Sequence, residues 1–111
     1  MDELTKSASD FLKILSDPIK LDIIKYLKKK KKTAKDIENA LDISQSYTSQ
    51  QLNQLERSDI ILHKRINGLK YYSIKNENIF RVISAINSYI IDTHKKKFHK
   101  LTDSNNIDIL K

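Results

Sequence analysis

The only glycine in this chain, Gly68, stands directly after Asn67, between two runs of strand-forming residues. Asn-Gly in that setting is the strongest short-range signal for a β-hairpin, because both residues tolerate the positive φ of a type I′ turn. The flanking arms run over 60–66 and 69–74 and are rich in Ile, Leu and Tyr. No acid occurs between Asp59 and Glu77, whereas Lys64, Arg65, Lys70 and Lys75 lie inside that stretch. A small basic hairpin is therefore expected, and it follows closely on a segment with helical spacing.

Helical spacing accounts for most of the remaining chain. Leu4, Ala8, Phe11, Leu12 and Leu15 mark one face of a first helix over 4–15. Ser16-Asp17-Pro18 ends it and starts another, with Asp17 as cap and Pro18 at the first helical position. Ile19, Ile23, Ile24 and Leu27 form the second buried stripe. The later part of the lysine run 28–32 reads as a turn into a third, short helix. Thr33 is its expected N-cap, with Asp36 closing a shortened capping box, and Ile37, Ala40 and Leu41 face inward. After a turn at Asp42-Ile43, Ser44 caps a fourth helix running to about Ser58, with Thr48, Leu52 and Leu55 inward. A last helix is expected over 77–101, marked by Ile79, Val82, Ile83, Ile86, Tyr89, Ile90 and Thr93 and ending in Lys95, Lys96, Lys97 and Lys100.

Charge and composition narrow the function. The formal net charge is +7, which points to a polyanionic partner such as nucleic acid or an anionic membrane surface. There is no cysteine, so disulfide frameworks, cysteine metal sites and thiol chemistry are excluded. No apolar run approaches the ~18 residues of a membrane span, and the acidic start at Asp2-Glu3 lacks a signal-peptide core. A cytoplasmic protein without membrane partners is expected. One glycine cannot build a Gly-rich phosphate loop, and no nucleophile–base constellation is apparent, so no enzymatic activity and no cofactor are expected.

The fourth helix carries the most specific chemistry. Gln45, Ser46, Ser49, Gln50 and Asn53 fall on one face, and no charged residue occurs from Ile43 through Leu55 in a chain that is 32% charged. Amide side chains pair bidentately with adenine, and hydroxyls bond base edges or phosphates. Short helix, tight turn and polar-faced helix make a helix-turn-helix, whose second helix enters the major groove by its N-terminal residues. The expected DNA contacts are Ser44, Gln45, Ser46, Tyr47, Ser49, Gln50 and Asn53 on that helix. Lys64, Arg65, Asn67 and Lys70 would act from the hairpin, and Lys32 and Thr33 from the turn before the third helix. Tyr47 can touch a thymine methyl, and a helix N-terminus suits phosphate.

Three stretches resemble the ArsR/SmtB family of small dimeric winged-helix repressors, over roughly residues 8–91. Leu15-Ser16-Asp17-Pro18-Ile19-Lys20-Leu21-Asp22-Ile23-Ile24 is similar to the family's Leu-x-Asp-Pro-x-Arg-Leu-x-Ile-Leu segment, with Lys20 in place of arginine. Ile43-Ser44-Gln45-Ser46-Tyr47-Thr48-Ser49-Gln50-Gln51-Leu52 resembles the family's Leu-Ser-Gln-Ser-x-Val-Ser-x-His-Leu recognition helix. Asn67-Gly68-Leu69-Lys70-Tyr71-Tyr72-Ser73-Ile74 resembles its wing and second strand. Asp59 stands where the family often has glycine.

The resemblance implies a mainly α (α+β) fold: a winged helix-turn-helix with a two-stranded β-hairpin wing and N- and C-terminal dimerisation helices. One domain would span 1–102, with its terminal helices 4–15 and 77–101 used for dimerisation, and 103–111 would be a frayed polar tail. The expected dimer interface is Leu4, Ala8, Phe11, Ile86, Tyr89 and Ile90. The family's metal ligands are largely missing. Thr33-Ala34-Lys35-Asp36 stands in place of Cys-Val-Cys-Asp, and Asn78, Phe80, Ile91 and His94 stand where zinc sensors place four ligands. No metal site is expected, the remaining candidates being Asp92, His94 and His99. His63 is expected to face solvent or a phosphate.

The expected function is that of a homodimeric, sequence-specific repressor of double-stranded DNA with a pseudo-palindromic operator; the sequence does not name its effector. Two rivals use the same fold: an architectural protein coating DNA without sequence preference, and a winged-helix module for protein interaction.

Overall fold

A computed structural model describes residues 2–95 of the chain. The chain divides into two compact units, Met1–Lys75 and Asn76–Lys111.

In the first unit, each helix starts where a side chain can receive the orphan amides of its first turn. Helix α1, Glu3–Leu15, is capped by Asp2, whose carboxylate accepts from the Thr5 amide at 2.7 Å. Helix α2, Pro18–Tyr26, is capped by Asp17 with Pro18 at its start. Thr33 caps α3, Ala34–Leu41, through a complete capping box: Thr33 Oγ1 accepts from the Asp36 amide at 3.1 Å, and Asp36 Oδ2 accepts from the Thr33 amide at 3.0 Å. Ser44 caps α4, Gln45–Arg57.

The sheet departs from the expected two-stranded hairpin. Strand β1, Lys32–Thr33, joins β2, Ile61–Ile66, and β3, Leu69–Ile74, in the antiparallel order β1-β3-β2. Lys32 pairs with Tyr72 and Thr33 with Tyr71. The physical reason lies in the cap. An N-cap residue is extended, as Thr33 is at φ −82° and ψ 164°, so the residues leading into α3 are already shaped to pair with the open edge of β3. The end of the lysine run is thus strand rather than turn. Between β2 and β3, Asn67 and Gly68 take φ of 52° and 82°, the doubly positive pattern of the expected two-residue turn.

The core of this unit lies where α2, α3 and α4 meet the base of the sheet. Ile23, Ile24, Leu27, Ile37, Leu52, Leu55, Ile60, Ile61 and Tyr72 are all buried. Ala40, expected inward, is exposed, and Leu41 is half-buried; Ile37 alone anchors the short α3 in the core. On α1 only Leu15 is buried, while Leu4 is 81% exposed and Leu12 54%. The chain leaves α4 through Asp59, which holds φ 60° where glycine is the easy residue, and its carboxylate accepts from Lys75 Nζ at 2.9 Å.

The second unit contributes α5, Ile79–Thr93. It starts later than the expected position 77 because the Asn76 side chain accepts from the Asn78 amide at 2.9 Å, holding 76–78 in a local turn. Ile79 and Ile83 are buried, Val82, Tyr89 and Ile90 are exposed, and Ile86 is half-buried. The expected continuation to 101, the lysines from 96 onward, His99 and the tail 103–111 lie outside the described residues. No helix among the described residues is long and apolar enough to cross a membrane.

Candidate nucleic-acid interface

Helices α3 and α4 are joined by a tight corner. Asp42 takes the left-handed conformation at φ 54°, and the Ile43 amide returns to the Glu38 carbonyl at 3.2 Å. This ends α3 and redirects the chain within a few residues. Ser44 then starts α4 twice over. Its Oγ accepts from the Tyr47 amide at 3.2 Å, and its carbonyl accepts from Thr48 Oγ1 at 2.7 Å.

Helix α4 has two distinct faces. Thr48, Gln51, Leu52 and Leu55 are buried and follow the i, i+3, i+4, i+7 spacing of one stripe. Ser44, Gln45, Ser46, Tyr47, Ser49, Gln50 and Asn53 are all exposed. The structure therefore brings together the residues singled out on this helix as one uncharged, hydrogen-bonding surface. Asn53 lies at its far end, in a shallow depression shared with Glu56 and Arg57.

The hairpin presents the cations. Arg65 and Lys70 stand directly opposite each other on β2 and β3. Like charges in that position repel, so the pair is better accommodated with an anion between or beside it. Arg65 Nη1 donates to the Gly68 carbonyl at 3.3 Å, and Lys70 Nζ lies 5.5 Å from the centre of the Tyr72 ring. Lys64 and Asn67 are exposed. The tip itself is apolar, with Ile66 and Leu69 both exposed, a feature not singled out from the sequence.

Lys32 and Thr33 do not stand beside these groups as free turn residues. Lys32 is half-buried in β1 with Nζ 4.6 Å from the Tyr26 ring, and Thr33 is committed to the capping box. Lys31 Nζ lies 5.8 Å from the Tyr71 ring. Hydrogen bonds from the Thr33 amide and hydroxyl hold the Asp36 carboxyl below its ordinary range, with help from Lys32 and Lys30.

His63 does not simply face solvent. Its Nδ1 lies 2.6 Å from Glu56 Oε2, and its ring tilts against Tyr72 at 5.8 Å. The wing is thereby tied to the last turn of α4. A second polar link was not anticipated either. Lys20 Nζ, its side chain only 6% exposed, donates to Asp17 Oδ2 at 3.0 Å and to Gln51 Oε1 at 2.8 Å. Burial alone would raise the Asp17 carboxyl, but the bonds from Lys20 and the Ile19 amide outweigh it and hold the group below its ordinary value. The burial of Lys20 has a signal in the sequence: Lys20, Ile23, Ile24 and Leu27 are spaced as one stripe, which puts a lysine, not Ile19, in the buried position.

Among the described residues, no group of three or more His, Asp or Glu side chains is placed to hold a metal ion. Asp92 is paired with Lys95 at 3.5 Å.

Comparison with known proteins matches these elements. The family described as "Bacterial regulatory protein, arsR family" matches residues 17–62, from the cap of α2 into β2. The chain is similar to the cadmium resistance transcriptional regulatory protein CadC of Listeria innocua, with 36% identity over 71% of this chain and 67% of that protein. Among solved structures, Rv0081 of M. tuberculosis superimposes with a TM-score of 0.79 at 20% identity, covering 87% of this chain and 98% of that one. A homodimeric winged helix-turn-helix DNA-binding domain, Mb0332 of Mycobacterium bovis, gives a TM-score of 0.72 at 21% identity over 86% and 88% of the two chains. At these identities the two structures establish the winged helix-turn-helix fold. The extent and identity of the match to the CadC regulator, together with the family match across the helix-turn-helix, show that this chain belongs to the ArsR family of bacterial regulatory proteins.

Proposed function

We propose that this ArsR-family regulator acts as a homodimeric repressor that reads double-stranded DNA with α4 and grips the backbone with its wing. One observation carries the reading: the exposed face of α4 from Gln45 to Asn53 is uncharged and lined with amides and hydroxyls, in a chain of net charge +7. A face that merely needed solvation would carry Lys and Glu; amides and hydroxyls are what base edges bond. Gln45, Ser46, Ser49 and Gln50 are assigned to base edges, with Tyr47 against a thymine methyl and Asn53 at the edge of the contact. Ser44 sits at the helix N-terminus, where phosphate is favoured. Lys64, Arg65, Asn67 and Lys70 are assigned to the backbone and adjacent minor groove, and the repulsion between Arg65 and Lys70 supports an anion there. Lys32 is assigned a lesser part, reaching phosphate from β1, while Thr33, its amide and hydroxyl bound to Asp36, holds the start of α3.

Pairing is assigned to Leu4, Ala8 and Phe11 of α1 and to Ile86, Tyr89 and Ile90 of α5. The exposed apolar residues on each helix support this, as does the dimeric state of the M. bovis relative. A two-fold dimer places two recognition helices about one DNA turn apart, so the operator should be pseudo-palindromic. With few of the family's metal-binding residues present, the regulator is assigned a non-metal inducing signal or none, and its site of action the cytoplasm.

The test separates the two surfaces. Gln50→Ala is expected to relax preference at one operator position, while Lys70→Ala weakens binding to all sequences alike and lowers the salt slope by about one. Equal losses on every duplex from both variants would refute the division of roles.

A further inference from the structure

Lys20 and Gln51 occupy the buried stripes of α2 and α4, positions where apolar side chains would pack. Burying an ammonium is costly unless it is paired and hydrogen-bonded. Here Asp17 supplies the charge and Gln51 Oε1 the second acceptor, and among the described residues no buried side-chain polar atom is left without a partner. Asp17 is itself fixed, because its other carboxylate oxygen receives the Ile19 amide at 2.9 Å. The chain of contacts therefore runs from the start of α2, through a buried cation, to one side chain on α4. Gln51 directly follows Gln50, which belongs to the exposed amide face.

We infer that Lys20 is a positioning residue for base recognition: by holding Gln51 it sets the roll of α4 about its own axis, and so the heights at which Gln45, Ser46, Ser49 and Gln50 meet the groove. Apolar packing through Thr48, Leu52 and Leu55 holds the helix against the core but is not directional. A hydrogen bond to a fixed donor is directional. A roll of about 20° moves a side-chain tip on a helix of about 5 Å radius by about 2 Å, more than a bidentate amide–base contact tolerates. Lys20 never touches DNA, and its charge is buried beside Asp17, so sequence-independent attraction does not depend on it.

The inference rests on the base-reading assignment made for α4. It is tested by affinity for two duplexes of equal length: one recovered by the wild-type chain from a random pool, and one unrelated. Lys20→Met breaks the link but leaves Gln51 unpaired. Lys20→Met with Gln51→Leu replaces the lysine and its amide acceptor with apolar groups, while Asp17, its side chain 28% exposed, loses its cation but keeps the Ile19 amide. Both variants should lose about tenfold in the ratio of specific to nonspecific affinity, with nonspecific affinity within about twofold of wild type. Lys20→Arg, which keeps a donor, should retain most of the ratio. A folded double variant with the wild-type ratio would overturn the inference and leave Lys20 a purely structural residue. Recovery of no preferred sequence by the wild-type chain would instead overturn the base-reading assignment, and this inference with it.

Discussion

His63 Nδ1 and Glu56 Oε2 lie 2.6 Å apart, joining the first strand of the wing to the last turn of α4. The pair holds together the two surfaces assigned to DNA. Both side chains are partly exposed, at 38% and 25%, so the energy of their contact is modest. A double-mutant cycle with His63→Ala and Glu56→Ala is expected to give a coupling of about 0.5–1 kcal/mol in denaturant unfolding. A coupling indistinguishable from zero would show that the contact does not link the two elements.

Asp17 is expected to shape the acid limb of stability. Its carboxyl is held below the ordinary value of 3.8. A carboxyl lowered by folding stabilises the folded state above its unfolded value, and that contribution is lost as pH falls through the folded value. Asp17→Asn retains a capping oxygen but removes the charge beside Lys20. It should cost about 1–3 kcal/mol near neutral pH, and the difference from wild type should shrink below about pH 4. Denaturant midpoints taken from neutral to acid pH check this; a difference that stays constant with pH would contradict it.

Thr33 carries three tasks: its hydroxyl caps α3 by accepting from the Asp36 amide, its own amide donates to Asp36 Oδ2, and it forms the end of β1. Thr33→Ala removes only the side-chain part. A loss of about 1 kcal/mol is expected, and Thr33→Ser should recover most of it, since the cap needs a hydroxyl rather than a methyl group. Thermal unfolding of the two variants decides the point.

Gly68 is a case of pure backbone demand. A Cβ there would meet nothing within 4 Å, yet φ is +82°. Gly68→Ala should therefore destabilise by about 1–2 kcal/mol through the left-handed backbone alone. If the variant were as stable as wild type, the wing turn would have another conformation.

What the sequence disclosed follows from how local each feature is. Asn67-Gly68, Asp17-Pro18, Ser44 and the Thr33–Asp36 box each act within a few residues, and the observed caps and turn follow from their chemistry. The uncharged face of α4 was readable for the same reason, since helical spacing alone collects its residues. Features made by distant parts of the chain were not readable. Strand β1 exists because the edge of β3, far along the chain, lies beside an extended cap. Lys20 finds Gln51 across 31 positions, and His63 finds Glu56 only because β2 turns back along α4. The position of Lys20 on its helix signalled burial, but not its partner.

The central claim, that α4 reads bases in a two-fold regulator, is tested most directly by protection of the DNA upstream of the chain's own gene. The measurement is made with excess unrelated duplex present and with salt varied. A localised, two-fold symmetric footprint that survives the competitor is the expected result. Protection that vanishes under competitor would contradict the claim and mark a protein that coats DNA without reading it. No binding even at low salt would reassign the fold to protein interaction.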